Sequence, residues 1–132
     1  MQGRENEIAK EIVDAAYRIH VGLGPGLLES VYEVVMAKEL ERRGLHVRRQ
    51  VAVPIEFDGL HFEEGFRADM IVGDCVIVEL KSIEKVLPIH KKQVLTYLRL
   101  LEMRLGLLIN FGETLIKDGI SRVANGLADG NH

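Results

Sequence analysis

The stretch Cys75-Val76-Ile77-Val78-Glu79-Leu80 constrains this chain more than any other. Apart from one acid it is apolar and rich in β-branched residues, and the turn signal Gly73-Asp74 precedes it. Such a run fits a central strand covered on both faces. A second apolar run, Leu105 to Phe111, ends at Gly112. Between the two, Pro88 opens a helical pattern from about Ile89 to Glu102. Strand, helix and strand make a crossover, so the two strands should be parallel neighbours with a right-handed connection. One sheet with helices on both faces satisfies that requirement.

The rest of the chain supplies the other layers. Ile8, Ile12, Ala15, Ala16 and Ile19 recur at helical spacing and predict a first helix from about Arg4 to His20. It stops at Gly22-Leu23-Gly24-Pro25-Gly26, where glycines and a proline break the pattern. A second helix should run from about Leu27 to Arg43. Leu28, Val31, Tyr32, Val35 and Leu40 form its expected apolar face, with Glu39 paired to Arg43 on the outer side. The period then changes to two. Strands are expected from Val47 to Phe57 and from about Leu60 to Val72, joined by an Asp58-Gly59 turn, with Pro54 marking an edge or a bulge. The tail suggests a short hairpin around Asp118-Gly119 and then a weak polar end. No repeat or linker interrupts the 132 residues. Residues 1–132 are therefore read as one domain, with a core at about 5–112 and a C-terminal extension at 113–132.

Composition narrows the function classes. A hydrophobic fraction of 47% with 28% charged residues belongs to a globular chain. The single cysteine, Cys75, excludes an internal disulfide framework and a multi-cysteine zinc site, and it reads as a small core residue. No apolar run approaches the roughly 18 residues of a membrane span. The N-terminus is polar, without a secretory signal, which points to the cytoplasm. The net charge of −3 does not advertise nucleic-acid binding, but a site made of carboxylates lowers the total while a local basic patch does the binding.

Glu79 and Lys81 put an acid and a base two residues apart at the end of a buried run, on one face if the strand is regular. Alone, that pattern more often marks a wet strand end. Asp69, in the preceding strand, adds weight. The two carboxylates lie on strands joined by a tight turn, they repel, and a divalent cation relieves the repulsion. Parity sets a condition. A two-residue loop pairs Asp69 with Val78 and turns Glu79 to the other face, so a metal site needs an odd-length loop or a bulge.

Asp69 followed ten residues later by Glu79-Leu80-Lys81 on a flanked hairpin resembles the PD-(D/E)XK nuclease superfamily. Within it the chain is similar to the GxxExxY family, whose name-giving residues stand here as Gly26-Leu27-Leu28-Glu29-Ser30-Val31-Tyr32. The run Leu23-Gly24-Pro25-Gly26 and the late Gly106-Leu107-Leu108-Ile109-Asn110-Phe111-Gly112 share that likeness. Gln93 and Tyr97 match the Q-x-x-x-Y motif of RecB-type nucleases. The family's proline is replaced by Ala68 before Asp69. The resemblance implies an α/β restriction-endonuclease-like core, α-β-β-β-α-β with an extra N-terminal helix, its mixed sheet flanked by helices.

It also implies Mg²⁺- or Mn²⁺-dependent hydrolysis of phosphodiester bonds in nucleic acid, DNA before RNA. Asp69, Glu79, the Leu80 carbonyl and Glu29 would hold the metal, Glu29 directly or through water. Lys81 would position water or stabilise developing charge, and Gln93 would orient water or phosphate. Tyr97 would support Gln93. Tyr32 fits a supporting role or a core aromatic, and His20 fits a metal-side role or a helix C-terminus. Gln93 and Tyr97 border an apolar stripe and should be half-buried with partners. Lys85, His90, Lys91 and Lys92 would contact phosphates at a helix N-terminus, or form a solvated face. Arg42, Arg43, Arg48 and Arg49 make a second basic group. A non-catalytic nucleic-acid- or partner-binding module with the same fold is the alternative, with a small-molecule phosphoesterase as a third reading. A homodimer is a further expectation, and no membrane partner is.

Overall fold

A computed structural model describes residues 3–127. In chain order its elements are α1 (Gly3–Leu23), α2 (Glu29–Arg42), β1 (Val47–Phe57), β2 (Leu60–Val72), β3 (Val76–Lys81), α3 (Pro88–Leu101), β4 (Leu105–Asn110), a 3-10 turn (Ile116–Gly119) and β5 (Ile120–Ala124). The two apolar runs form the middle of a mixed sheet in the order β1-β2-β3-β4-β5. β3 and β4 are parallel neighbours, Val76 beside Leu105 and Lys81 beside Asn110. The other pairings are antiparallel. α1 and α2 cover one face, where Ile12, Tyr32 and Met36 pack with Met70, Val78 and Leu107. α3 covers the other, with Val94 and Leu98 against Ile71, Ile77 and Leu108. Among the described residues no helix is long and apolar enough to cross a membrane.

The β2–β3 connection decides the parity. Val72 pairs with Val76, so the loop is Gly73-Asp74-Cys75, three residues long. Gly73 and Asp74 both take positive φ, +60° and +58°, in that turn. Cys75 thus lies in the turn rather than in β3 and is only partly buried, against the edge of the core.

The face expected for α2 needs correction. Tyr32 and Leu40 are buried, joined by Met36 and Ala37, but Leu28 is 74% exposed and Val31 is also on the outside. Two charged anchors set the helix rotation. Glu33 is buried because Arg49 and Gln50 bind it, at 2.9 and 2.7 Å. Glu39 is buried because Arg43 binds it at 3.0 Å. The Glu39–Arg43 pair therefore faces inward, and Arg43 also reaches Glu11 and Asp14 of α1, at 3.0 and 2.8 Å. It clamps two helices together.

The tail is also corrected. Asp118-Gly119 belongs to the 3-10 turn, and β5 then pairs along β4, Ile109 opposite Ile120 and Leu105 opposite Ala124. The short, weakly alternating β5 gains its order from the β4 edge rather than from its own pattern. The expected polar end, 128–132, and residues 1–2 of the polar N-terminus lie outside the described residues.

β1 and β2 outrun the sheet. β2 pairs with β3 only over Met70–Val72, whereas the β1–β2 ladder continues to Phe57 opposite Leu60. Its register shifts between Val53 and Ile55, at Pro54, which has no N–H to give to a ladder. The outer half of this hairpin is a two-stranded arm.

Candidate active site

β2 and β3 fork just beyond the Met70–Val78 pair, and the acids sit in the fork. Asp69 N–H donates to Glu79 Oε2, and Leu80 N–H donates to Asp69 Oδ2, both at 2.9 Å. The three-residue turn thus meets the parity condition, since its register extended by one pair sets Asp69 opposite Glu79. Each carboxylate gives one oxygen to the backbone. The other oxygens, Asp69 Oδ1 and Glu79 Oε1, have no protein hydrogen bond, yet no side-chain oxygen is buried without a partner among the described residues. Both therefore reach solvent.

Desolvation dominates their chemistry. Burial, then repulsion from Asp69, pushes Glu79 up to about 7, against the pull of the Asp69 N–H and of Lys81. Burial also raises Asp69, opposed by the Leu80 N–H bond and Lys81 and reinforced by Glu33 and Glu29. These two carboxylates are the strained charges of the fold. Lys81 is half-buried, makes no ion pair among the described residues, and stabilises both.

Glu29 reaches the same end of the sheet by another route. It opens α2, where free N–H groups favour an acid. Its Oε2 accepts Ser82 N–H at 3.3 Å, while Ser82 Oγ donates to the Leu27 carbonyl at 2.5 Å. The residue after β3 is thereby stitched to the start of α2. Glu29, Ser30, Glu33, Gln50, Asp69 and Leu80 line a cleft of about 410 Å³. A cavity of about 500 Å³ elsewhere, beside Tyr17, Leu107 and Ile120, holds none of the candidate site residues. No three acidic, histidine or cysteine side chains gather as a metal-holding group among the described residues, so Glu29 acts on Asp69 and Glu79 through charge.

Other motif residues build the frame. Tyr32 is fully buried, stacks on Phe111 at 4.3 Å, donates to the Gly24 carbonyl at 2.5 Å and accepts Leu27 N–H at 3.2 Å. It ties down the glycine loop that delivers Glu29. His20 Nε2 bonds the Glu113 carbonyl at 2.8 Å, a loop contact with no acid of the cleft. Asn110 is fully buried: Oδ1 accepts from Ile83 N–H and Gly112 N–H, both at 3.0 Å, and Nδ2 donates to the Ile83 carbonyl at 2.9 Å. Gly112 has no room for a side chain, because a Cβ there would lie 2.0 Å from the Ile83 carbonyl oxygen. The Asn-Phe-Gly segment thus fixes the loop leaving Lys81.

Tyr97 stacks on Phe66 at 4.0 Å, and its hydroxyl is raised by burial and by the charges of Glu79 and Asp69. It therefore borders the site and stays protonated. Gln93 departs from expectation: it is exposed and makes no hydrogen bond among the described residues. α3 buries only Val94 and Leu98, so Gln93, about 100° round the helix from Val94, stands clear of the sheet. His90 Nδ1 accepts Leu87 N–H at 3.0 Å and caps α3. Lys85, Lys91 and Lys92 are exposed and outside every ion pair among the described residues. The second basic group is engaged in structure. Arg42 and Arg43 meet Glu39, Arg48 meets Asp74 at 3.3 Å, and Arg49 meets Glu33.

Sequence reasoning missed Glu33, Gln50 and Ser82. Glu33 was findable, one helical turn after Glu29 on the same side. Gln50 takes a φ of +50° opposite Asp69, which no local pattern announces.

A family model described as the PD-(D/E)XK nuclease superfamily matches residues 6–123. No curated protein and no solved structure gives a significant match.

Proposed function

The chain belongs to the PD-(D/E)XK nuclease superfamily, and on that premise we propose that it hydrolyses phosphodiester bonds in nucleic acid, DNA before RNA, with Mg²⁺ or Mn²⁺ at Asp69 and Glu79. The observation that carries this reading is the pair itself. Two desolvated carboxylates, each with one oxygen free toward solvent, share the end of a strand with Lys81. Hard oxygen donors of this kind suit a small divalent cation, which keeps several waters and needs only one or two carboxylates. The Leu80 carbonyl is a third candidate donor, with Glu29 reached through water. A bound cation supplies positive charge that neutralises phosphate and acidifies water.

The chain's own groups do the rest. Asp69 and Glu79 are held by backbone N–H groups, so they do not swing away when charged. Lys81 offers an ammonium to the charge that develops on phosphate. Gln93, exposed and without a partner among the described residues, is free to bind water or phosphate, with Tyr97 locating its helix turn. Lys85, Lys91 and Lys92, with His90 at the same helix start, offer phosphate contacts that position without reading sequence. The match over 6–123 supports one nuclease-like domain, and the Gly26–Tyr32 motif supports membership of the GxxExxY branch. We place its work in the cytoplasm.

The test is cleavage of single- and double-stranded DNA and RNA with Mn²⁺, Mg²⁺ or chelator. Wild type should cut only with metal, Asp69→Asn should be inactive, and Lys81→Ala should slow the reaction by about 10²–10³. Absence of metal-dependent cleavage of every substrate, together with retained nucleic-acid or partner binding, would replace the enzyme by a binding module.

A further inference from the structure

Among the described residues, the β1–β2 arm carries an apolar face with nothing packed on its end. Cross-strand pairing sets Ile55 beside Phe62 and Phe57 beside Leu60. Phe57, Leu60 and Phe62 are 76%, 62% and 52% exposed. The opposite face carries Glu56 against His61 at 3.3 Å. An amphipathic ribbon without a third strand or a covering helix is marginal by itself. Its exposed apolar face marks an interaction surface.

Charge selects the occupant. The arm from Glu56 to Arg67 holds four carboxylates, Glu56, Asp58, Glu63 and Glu64, against one arginine, Arg67. Phosphates would be repelled, and so would a second arm. A surface of opposite character lies on the same molecule. A cleft of about 350 Å³ between the end of α1 and α2 has Leu23, Val34 and Val35 in its walls and Arg18, Lys38 and Arg42 among its lining residues. Glu39 also lines it and meets Arg43 at 3.0 Å and Arg18 and Arg42 at 3.9 Å, so three cations still outnumber one carboxylate in the lining and the rim is net positive. With Glu33 and Glu39 turned inward, Val34 is left exposed in this cleft, while Val35 is half-buried and also packs on the core.

We propose that a second copy of this chain covers the arm: the Phe57/Leu60 tip of each copy enters the α1–α2 cleft of the other. Acidic flanks then meet a basic rim, and the apolar tip meets apolar walls. Each copy gives one arm and one cleft, and in the proposed two-fold arrangement both contacts form and the buried area doubles. The contact is independent of the chemistry at Asp69 and Glu79.

Sedimentation velocity from 5 to 200 µM tests it. Wild type should sediment at twice the chain mass. Phe57→Ser with Leu60→Ser, and separately Lys38→Glu with Arg42→Glu, should give monomers with unchanged circular dichroism, since all four side chains are exposed. Reversing the arm with Glu56→Lys and Glu63→Lys should also give a monomer. Mixing that arm variant with the Lys38→Glu/Arg42→Glu variant should restore a dimer, because both reciprocal contacts then join opposite charges. A monomeric wild type, a dimer indifferent to these variants, or a mixture that stays monomeric overturns the proposal. Loss of nucleic-acid affinity in the arm variants of a monomeric protein would assign the arm to substrate instead.

Discussion

Glu79 gives the sharpest prediction. Its carboxyl is pushed up to about 7 from an ordinary 4.5. Below pH 4.5 both folded and unfolded chains hold the proton, and the group contributes nothing to the difference. Between 4.5 and 7 the folded state holds a proton that the unfolded state has lost, so stability falls as pH rises through that window. Above 7 both states are ionised and the full penalty is present, about 3 kcal/mol. Glu79→Gln removes it while keeping an oxygen to accept the Asp69 N–H. Folded domains gain about 2.1 cal/mol/K of unfolding entropy per residue, so over this chain the penalty corresponds to a melting shift of about 10 °C.

The assay is a pair of melting series, wild type and Glu79→Gln, from pH 4.5 to 8.5 in chelator. Taking the difference cancels the titrating groups that do not interact with Glu79. The variant should match wild type at the acid end and melt about 10 °C higher at pH 8. Adding Mg²⁺ or Mn²⁺ at pH 8 should raise wild type alone, since a cation that binds only the folded state stabilises it by mass action. A difference that stays flat across the series would refute the argument that Glu79 is a desolvated charge, and with it the reason for a cation there.

Asn110→Ala leaves two N–H groups and a carbonyl of the Ile83 loop without partners; we expect a loss of about 3 kcal/mol by urea denaturation. Tyr32→Phe loses the hydroxyl that joins Gly24 to Leu27, with an expected cost of about 1–2 kcal/mol. Hydrogen exchange at Leu27 should rise with it. Reversing the charges of Lys85, Lys91 and Lys92 should weaken nucleic-acid binding and reduce its salt slope by about 1 for each phosphate no longer neutralised. Single-turnover cleavage at saturating substrate should survive; an unchanged slope would leave these lysines as a solvated face.

The central strands were legible because burial on both faces leaves a signature no polar context can imitate. The Asp69–Glu79 pairing was legible only as a condition. Gly73-Asp74 suits a two-residue turn as well as a three-residue one. What decides is the rest of β3: the observed register keeps Val76, Val78 and Leu80 against α1 and α2, and a one-residue slip would present Glu79 to that core instead. The register is thus selected by the same burial that pushes the Glu79 carboxyl up. α2 was misread for a related reason. Glu33 and Glu39 look like surface residues until Arg49 and Arg43, distant in sequence or reaching across to α1, make their burial tolerable. The half-burial expected of Gln93 is not seen because a polar stripe beside an apolar one says nothing about how wide a helix's contact with the sheet will be.

The arm was present in the strand lengths all along. β1 has 11 residues and β2 has 13, but β3, their neighbour, has six. At about 3.3 Å per residue, a hairpin that much longer than its neighbour must run on for roughly 15–20 Å without a third strand. Alternation along Ile55, Phe57, Leu60 and Phe62 then requires one face of the overhang to be apolar whatever the rest of the fold does. A chain that needed only the fork at Asp69 could turn back at Val53 and Phe66, where buried Val53 lies opposite half-buried Phe66 and Phe66 stacks on Tyr97. The residues beyond that point add exposed apolar surface and four carboxylates, the two features on which the proposed contact with a second copy rests.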